Sequence, residues 1–299
     1  MGDIKIVECP RDAMQGLDRF IPTAIKIEYI NSLLKCGFDV LDMGSFVSPK
    51  AIPQMRDTEE VLNKINTDKS ATELLTIIAN KRGAEAAVCF DQISYLGFPF
   101  SISETFQQRN TNKSIDDSFH LLEDVYSLAT VNNKKVVLYL SMGFGNPYGD
   151  EWSDEIVYNW TKRLNDTFGT SILALSDTIG CATSDVLPDL FQSLINSFPS
   201  IEFGAHLHVK RTDAQELISA AHTGGCRRFD VAMKGFGGCP MAKDELIGNL
   251  PTEELIHWMD QNKVKNNLNT EAVSITMNSV DKVFEPFNSW IPKPIAVKS

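Results

Sequence analysis

The chain has 299 residues, 43% of them hydrophobic and 22% charged, enough for a sizeable buried core in a globular protein. Asp and Glu number 39 against 28 Lys and Arg, for a net charge of -11, which argues against nucleic acid and anionic membrane surfaces as partners. Six cysteines without C-x-x-C spacing argue against a disulfide framework or a zinc finger and suit a reduced, cytoplasmic compartment; no apolar run reaches the roughly 20 residues that span a bilayer.

Ile4-Lys5-Ile6-Val7 opens a first strand at 4–8. Thr23 is placed to cap a helix that buries Ile27, Ile30, Leu33 and Leu34 and stops at Gly37. Further strands are expected near 39–43, 74–79, 86–90, 135–140, 171–176, 201–206 and 228–232. Ser114 with Asp117 reads as a capping box, as does Thr212 with Gln215 before a helix ending at Gly224-Gly225. Helices are also expected near 153–168, 185–197 and 252–262, the last capped by Thr252. Strand and helix alternate about eight times with no dinucleotide-binding glycine fingerprint. The pattern predicts an α/β fold, a (β/α)8 TIM barrel with extra C-terminal helices. One catalytic domain is expected over residues 1–284. The proline-bearing stretch 285–299 is expected to be an extended C-terminal tail.

In such a barrel chemistry collects at the C-terminal ends of the strands. His206 and His208 follow one strand two residues apart, so both imidazoles face the same way, with Phe203, Ala205 and Leu207 on the opposite apolar face. They suit either a divalent cation or a hydrogen-bonded pair in the barrel mouth. Arg11-Asp12 follows the first strand and offers a cation and a hard oxygen donor, or a plain surface ion pair. Asp42 and Asp177 end the second and sixth strands, where carboxylates act as acid or base or cap the next turn. Lys234-Gly235-Phe236-Gly237-Gly238-Cys239-Pro240 is a bendable segment carrying one thiol, a lid or a flexible turn. Asn249 adds a neutral carbonyl oxygen downstream. His120, His222 and His257 lie in helical patterns. Cys9, Cys36, Cys89, Cys181 and Cys226 read as small core residues.

Together these pieces resemble the 3-hydroxy-3-methylglutaryl-CoA lyase family from about residue 4 to about residue 259. The most specific stretch is Ser45-Phe46-Val47-Ser48-Pro49-Lys50 running on to Ile52-Pro53-Gln54-Met55. Gly237-Gly238-Cys239-Pro240 with Ala242, Ser176-Asp177-Thr178-Ile179-Gly180, and Arg11-Asp12 with Gln15 resemble further family signatures. The resemblance implies a divalent cation, Mg²⁺ or Mn²⁺, held by Asp12, His206, His208 and Asn249. It implies Arg11, Cys239, Asp42 and Asp177 as catalytic groups, and Gln15, Ser45, Lys50, Gly237 and Gly238 around the substrate. The implied reaction is retro-Claisen cleavage of an acyl-coenzyme A to acetyl-CoA and acetoacetate, as in leucine degradation and ketone-body formation. Lys50, Lys210, Arg211 and Lys234 are candidates for the coenzyme A phosphates, and a homodimer or higher homo-oligomer is compatible. The chain departs from the family at Ala13-Met14, at Asp42 in place of glutamate, at Val209 after the histidine pair, and at Asn146 in place of a cysteine. It also has one more residue than usual between Cys239 and Asn249. Two alternatives remain: a Claisen-type synthase or aldolase on the same barrel, or an inactive binding barrel.

Overall fold

The structure is a computed structural model that describes residues 3–238 and 247–287. Strand β1 (Lys5–Glu8) leads into a short helix α1 (Pro10–Gln15), started by Pro10. Then follow α2 (Thr23–Leu33), β2 (Val40–Ser45), α3 (Thr58–Lys64), β3 (Glu73–Ile77), α4 (Lys81–Ala87) and β4 (Ile93–Ser101). The second half runs α5 (Glu104–Thr111), α6 (Ile115–Val131), β5 (Lys135–Ser141), α7 (Asp154–Phe168), β6 (Ile172–Asp177), α8 (Val186–Ser197) and β7 (Glu202–Lys210). It ends with α9 (Ala214–Thr223), β8 (Arg228–Val231), a short β9 (Ile247–Asn249), α10 (Thr252–Gln261) and α11 (Thr270–Phe284).

Strands β1 to β8 pair in parallel, each with its sequence neighbour, and β1 pairs with β8, so the sheet closes into the expected barrel. Alternation along each strand sorts the side chains into two sets. Val7, Val40, Leu75, Ile77, Val137, Tyr139 and Ala174 pack together inside the barrel. Leu41, Leu138, Leu173, Phe203, Leu207 and Phe229 face outward to the helices. On β7 this places His206 and His208 inside, as the two-residue spacing predicts. α11 packs beyond the barrel on α2, with Phe284 edge-on to Tyr29.

Several local expectations need correction. Residues 86–90 are not a strand: Ala84 and Ala87 belong to α4, and the fourth strand comes later, at Ile93–Ser101. Gly97 and Pro99 disguised it. Gly97 is required there because a Cβ would sit 2.5 Å from Ile77 Cδ1 and 3.1 Å from the Tyr139 ring, which fill the barrel interior. The Ser114–Asp117 capping box forms at α6. Thr23, by contrast, is the first residue of α2 and makes no cap. Thr212 bonds Asp213 and Gln215 bonds Glu254, so α9 starts without the second box. Thr252 also lies inside its helix, and its hydroxyl donates to Glu8. Cys89 is exposed rather than in the core. Glu285–Phe287 form a 3-10 turn instead of extended chain; the remainder of the expected tail lies outside the described residues.

Candidate metal and substrate site at the barrel mouth

Three elements deliver the site. Pro10 starts α1 directly at the end of β1, so Arg11 and Asp12 hang over the strand ends; both are buried, at 7% and 4% exposure. Arg11 is held from several sides. Its Nη2 and Nε donate to Asp42 Oδ2 at 2.6 and 3.0 Å, and its Nη1 donates to Asp12 Oδ1 and Gln15 Oε1, each at 2.8 Å. Gln15 Nε2 donates to the same Asp12 Oδ1 at 2.6 Å. Everything therefore gathers on Oδ1, and Asp12 Oδ2 is buried without a hydrogen-bond partner among the described residues.

That orphaned oxygen faces the histidines. His208 Nε2 lies 3.4 Å from it, close enough for charge attraction but without hydrogen-bond geometry. One ligand atom each from Asp12, His206 and His208 lies within 4.8 Å of the others, and all three residues are buried. Burial alone would raise Asp12, but the Arg11 guanidinium and the two imidazoles outweigh it and hold the carboxyl well below its ordinary range. A buried carboxylate oxygen and a buried imidazole nitrogen without partners form a donor set that a divalent cation would satisfy. The residues fit the ion.

Asn249 arrives beside them because β9 pairs antiparallel with the end of β7, setting Asn249 opposite His208. Its Nδ2 donates to the Phe236 carbonyl, which ties it to the glycine segment. Gly237 takes φ +95°, and a Cβ there would meet Asn249 Nδ2 at 2.5 Å and the Asp12 carbonyl at 2.8 Å; only glycine lets the backbone lie this close over the donor group. Gly238 follows at φ +149°. Cys239 lies outside the described residues.

The remaining expected residues divide. Asp42 lies inside β2 under Arg11, fully buried, and burial pushes its carboxyl up to about 6 against the lowering pull of Arg11. Asp177 is on the outward side of β6, where its oxygens accept the N–H groups of Ile179, Cys181 and Ala182 at 3.3, 3.0 and 2.6 Å; it holds the turn and is not brought to the donor group. Gln15 lines a cavity of about 190 Å³ beneath the mouth, with Arg11, Asp12, Tyr139, His206 and His208. Ser45 instead lines a neighbouring cavity of about 310 Å³, with its hydroxyl donated to the Ile77 carbonyl. Lys50 is exposed in a turn. Arg211 is paired with Glu253 and Glu254, and Lys234 with Asp281.

Sequence reasoning missed Asp230. On β8 it points into the barrel and its Oδ2 lies 3.2 Å from His206 Nδ1, with both side chains nearly fully buried. Burial would lower His206, but the bond to Asp230 more than offsets it and raises the imidazole. The signal was present: a carboxylate two residues after Arg228 sits at an inward position of a barrel strand. Val209, where the chain departs from the family, faces the outer core by the same alternation and does not reach His208's inward ring.

A parallel barrel with a carboxylate, two imidazoles and a fixed guanidinium at the C-terminal ends of its strands defines a barrel enzyme with a candidate cation site beside a substrate cavity. The HMGL-like family description matches residues 4–280, and the chain belongs to that family. It is 34% identical over 264 residues to a hydroxymethylglutaryl-CoA lyase of Bacillus subtilis, covering 88% of this chain and 87% of that one. A crystal structure of the Bacillus subtilis HMG-CoA lyase superposes with a TM-score of 0.88 at 32% identity, covering 95% of this chain and 94% of that one. A structure of an HMG-CoA lyase from Acinetobacter baumannii in complex with coenzyme A and 3-methylmalate gives 0.86 at 26% identity, covering 98% and 97%. The chain is a carbon–carbon lyase. No helix among the described residues is long and apolar enough to cross a membrane.

Proposed function

We propose that the chain cleaves 3-hydroxy-3-methylglutaryl-CoA, or a close branched 3-hydroxyacyl-CoA, to acetyl-CoA and acetoacetate. The observation that carries the reading is the buried Asp12 Oδ2, facing His208 Nε2 at 3.4 Å beside a fixed arginine and above a cavity. Asp12, His206 and His208, with Asn249 beside them, would hold a divalent cation, Mg²⁺ or Mn²⁺, which when bound would draw electron density from the substrate's hydroxyl and carbonyl oxygens.

Arg11 offers its charge where the thioester enolate develops as the C–C bond breaks. Its contacts to Asp42, Asp12 and Gln15 fix its position before substrate arrives, so little reorganisation is needed during the reaction. Asp42, raised to about 6, is the carboxyl best poised to exchange a proton near neutral pH. Cys239, which follows Gly237 and Gly238 in the sequence, is the second acid/base group. The apolar wall of Val47, Ile52, Ile77 and Phe106 shields the reacting carbons from water. Asp177 is left to hold its turn. The synthase reading and the inactive-barrel reading are not favoured, since the relatives above carry the lyase name and Arg11, Asp12, His206 and His208 converge. A cytoplasmic, homo-oligomeric enzyme is in keeping with this reading.

The test is acetoacetate release from 3-hydroxy-3-methylglutaryl-CoA with added Mg²⁺ or Mn²⁺. Turnover is expected for the parent and is expected to be lost in His206→Ala. No release from this or any related branched hydroxyacyl-CoA would overturn the reading.

A further inference from the structure

A second group of ligand atoms lies directly below the first. Cys9, His206 and Asp230 each offer one within 4.8 Å of the others, and all three are buried. The strands explain the convergence. Cys9 directly follows β1 on its inward side, Asp230 lies on the neighbouring β8, and His206 pairs with Asp230 across the β7–β8 ladder. Asp230 uses only Oδ2 on His206; its Oδ1 is buried with no partner among the described residues. Tyr139 Oη is likewise buried and unpartnered, on a ring that stands edge-on to His206 at 5.5 Å.

The donor chemistry differs from that of the upper site. Sulfur, imidazole nitrogen and one carboxylate suit a borderline or soft ion, whereas a hard ion such as Mg²⁺ prefers oxygen. We propose that Cys9, His206 and Asp230 form a second cation site, selective for thiophilic ions such as Zn²⁺ and Cd²⁺, and that an ion bound there takes His206 away from the upper site.

The exclusion follows from the imidazole itself. A neutral ring has one lone pair in its plane, on whichever nitrogen lacks the proton. With Nδ1–H turned to Asp230, the lone pair is on Nε2, which leaves Nε2 as the nitrogen free for an upper ion. An ion on Nδ1 moves that proton to Nε2 and removes the upper site's ligand. The same event converts the Cys9 thiol, which donates to the Val7 carbonyl at 3.6 Å, into a thiolate, so one proton leaves the protein per ion bound. Burial and the nearby Asp230 and Asp42 oppose a bare thiolate at Cys9, and a bound dication supplies the missing charge.

The inhibition arm of the test rests on the function proposed above; the binding arm does not. Metal-free protein carrying Cys239→Ser is titrated with Cd²⁺, and thiolate-to-cadmium ultraviolet absorption is followed with and without Cys9→Ser. A saturating component that disappears with Cys9→Ser is expected; identical titrations would overturn the site. In Mg²⁺-loaded enzyme with Cys239 intact, Zn²⁺ is expected to inhibit, and Cys9→Ser to raise the required Zn²⁺ by about tenfold or more with basal turnover unchanged. Inhibition that needs as little Zn²⁺ after Cys9→Ser as before would also overturn it. Cys9→Ala replaces Cys9→Ser if the hydroxyl lowers the melting temperature. Should the protein release no acetoacetate at all, only the proposed function fails, and the cadmium titration still decides the site.

Discussion

Asp230 and His206 illustrate how much a single inward carboxylate does. The imidazole must present a fixed nitrogen to the ion, and the 3.2 Å contact at Nδ1 sets both ring orientation and tautomer. Asp230→Asn keeps the shape and the hydrogen-bond reach but removes the charge. It is expected to weaken cation affinity by about 10- to 100-fold while the fold persists. Titration of metal-free protein with Mn²⁺, followed by the bound fraction, would check this, and unchanged affinity would remove Asp230 from the site. Arg11 is at the opposite extreme: its ion pairs with Asp42 and Asp12 are all buried, so loss of either partner strands a charge as well as a contact.

Among the elements, the return of the chain after β8 is anchored by one side chain. Glu8, on the outward side of β1, accepts the Met233 N–H at 2.8 Å and the Thr252 hydroxyl at 2.6 Å, so it ties the barrel to both ends of the segment that carries the glycines and Asn249. Burial pushes Glu8 from 4.5 to about 8. A folded-state value above the unfolded one means the stability from this group is complete below about pH 4.5 and is lost as pH rises through about 8. Glu8→Gln should therefore gain on the parent by roughly 4 kcal/mol of unfolding free energy between about pH 5 and about pH 8.5, measured by urea denaturation. A difference that stays flat with pH would reject the assignment.

Elements like this also show what the sequence could and could not convey. Period-two alternation placed both histidines inside, and the alternation of strand and helix gave the closed barrel, because both depend on local pattern. β4 was hidden since Gly97 and Pro99 are poor strand formers, and Gly97 is needed for the space its neighbours Ile77 and Tyr139 fill. Asp177 looked catalytic because it ends a strand; whether its carboxylate turns inward or caps the next turn is set by strand parity, one residue either way. Asp230 was overlooked because its meaning comes from His206 on another strand.

For the whole molecule, cation binding and folding are linked. An ion that satisfies Asp12 and His208 binds the folded chain and not the unfolded one. Mg²⁺ or Mn²⁺ at about 100 times its Kd should stabilise the protein by about 2.7 kcal/mol. Differential scanning calorimetry should show the melting temperature rising with the ion, returning under a chelator, and unresponsive in His206→Ala. A parent whose melting temperature ignores both ions would contradict the cation assignment.

The far end of the barrel is shut. Arg228, fully buried, reaches Glu202, which reaches Lys5, while Tyr95 donates to Glu73 from the adjoining strands. Among the described residues this leaves the mouth as the doorway, and the bulky nucleotide end of the substrate must occupy it last on entry. After cleavage, acetoacetate is trapped behind acetyl-CoA, so the thioester must depart first and the keto acid second. Steady-state kinetics should show this queue: acetoacetate competing with substrate for free enzyme, and acetyl-CoA inhibiting noncompetitively. The reverse pattern would mean that the small product has another way out.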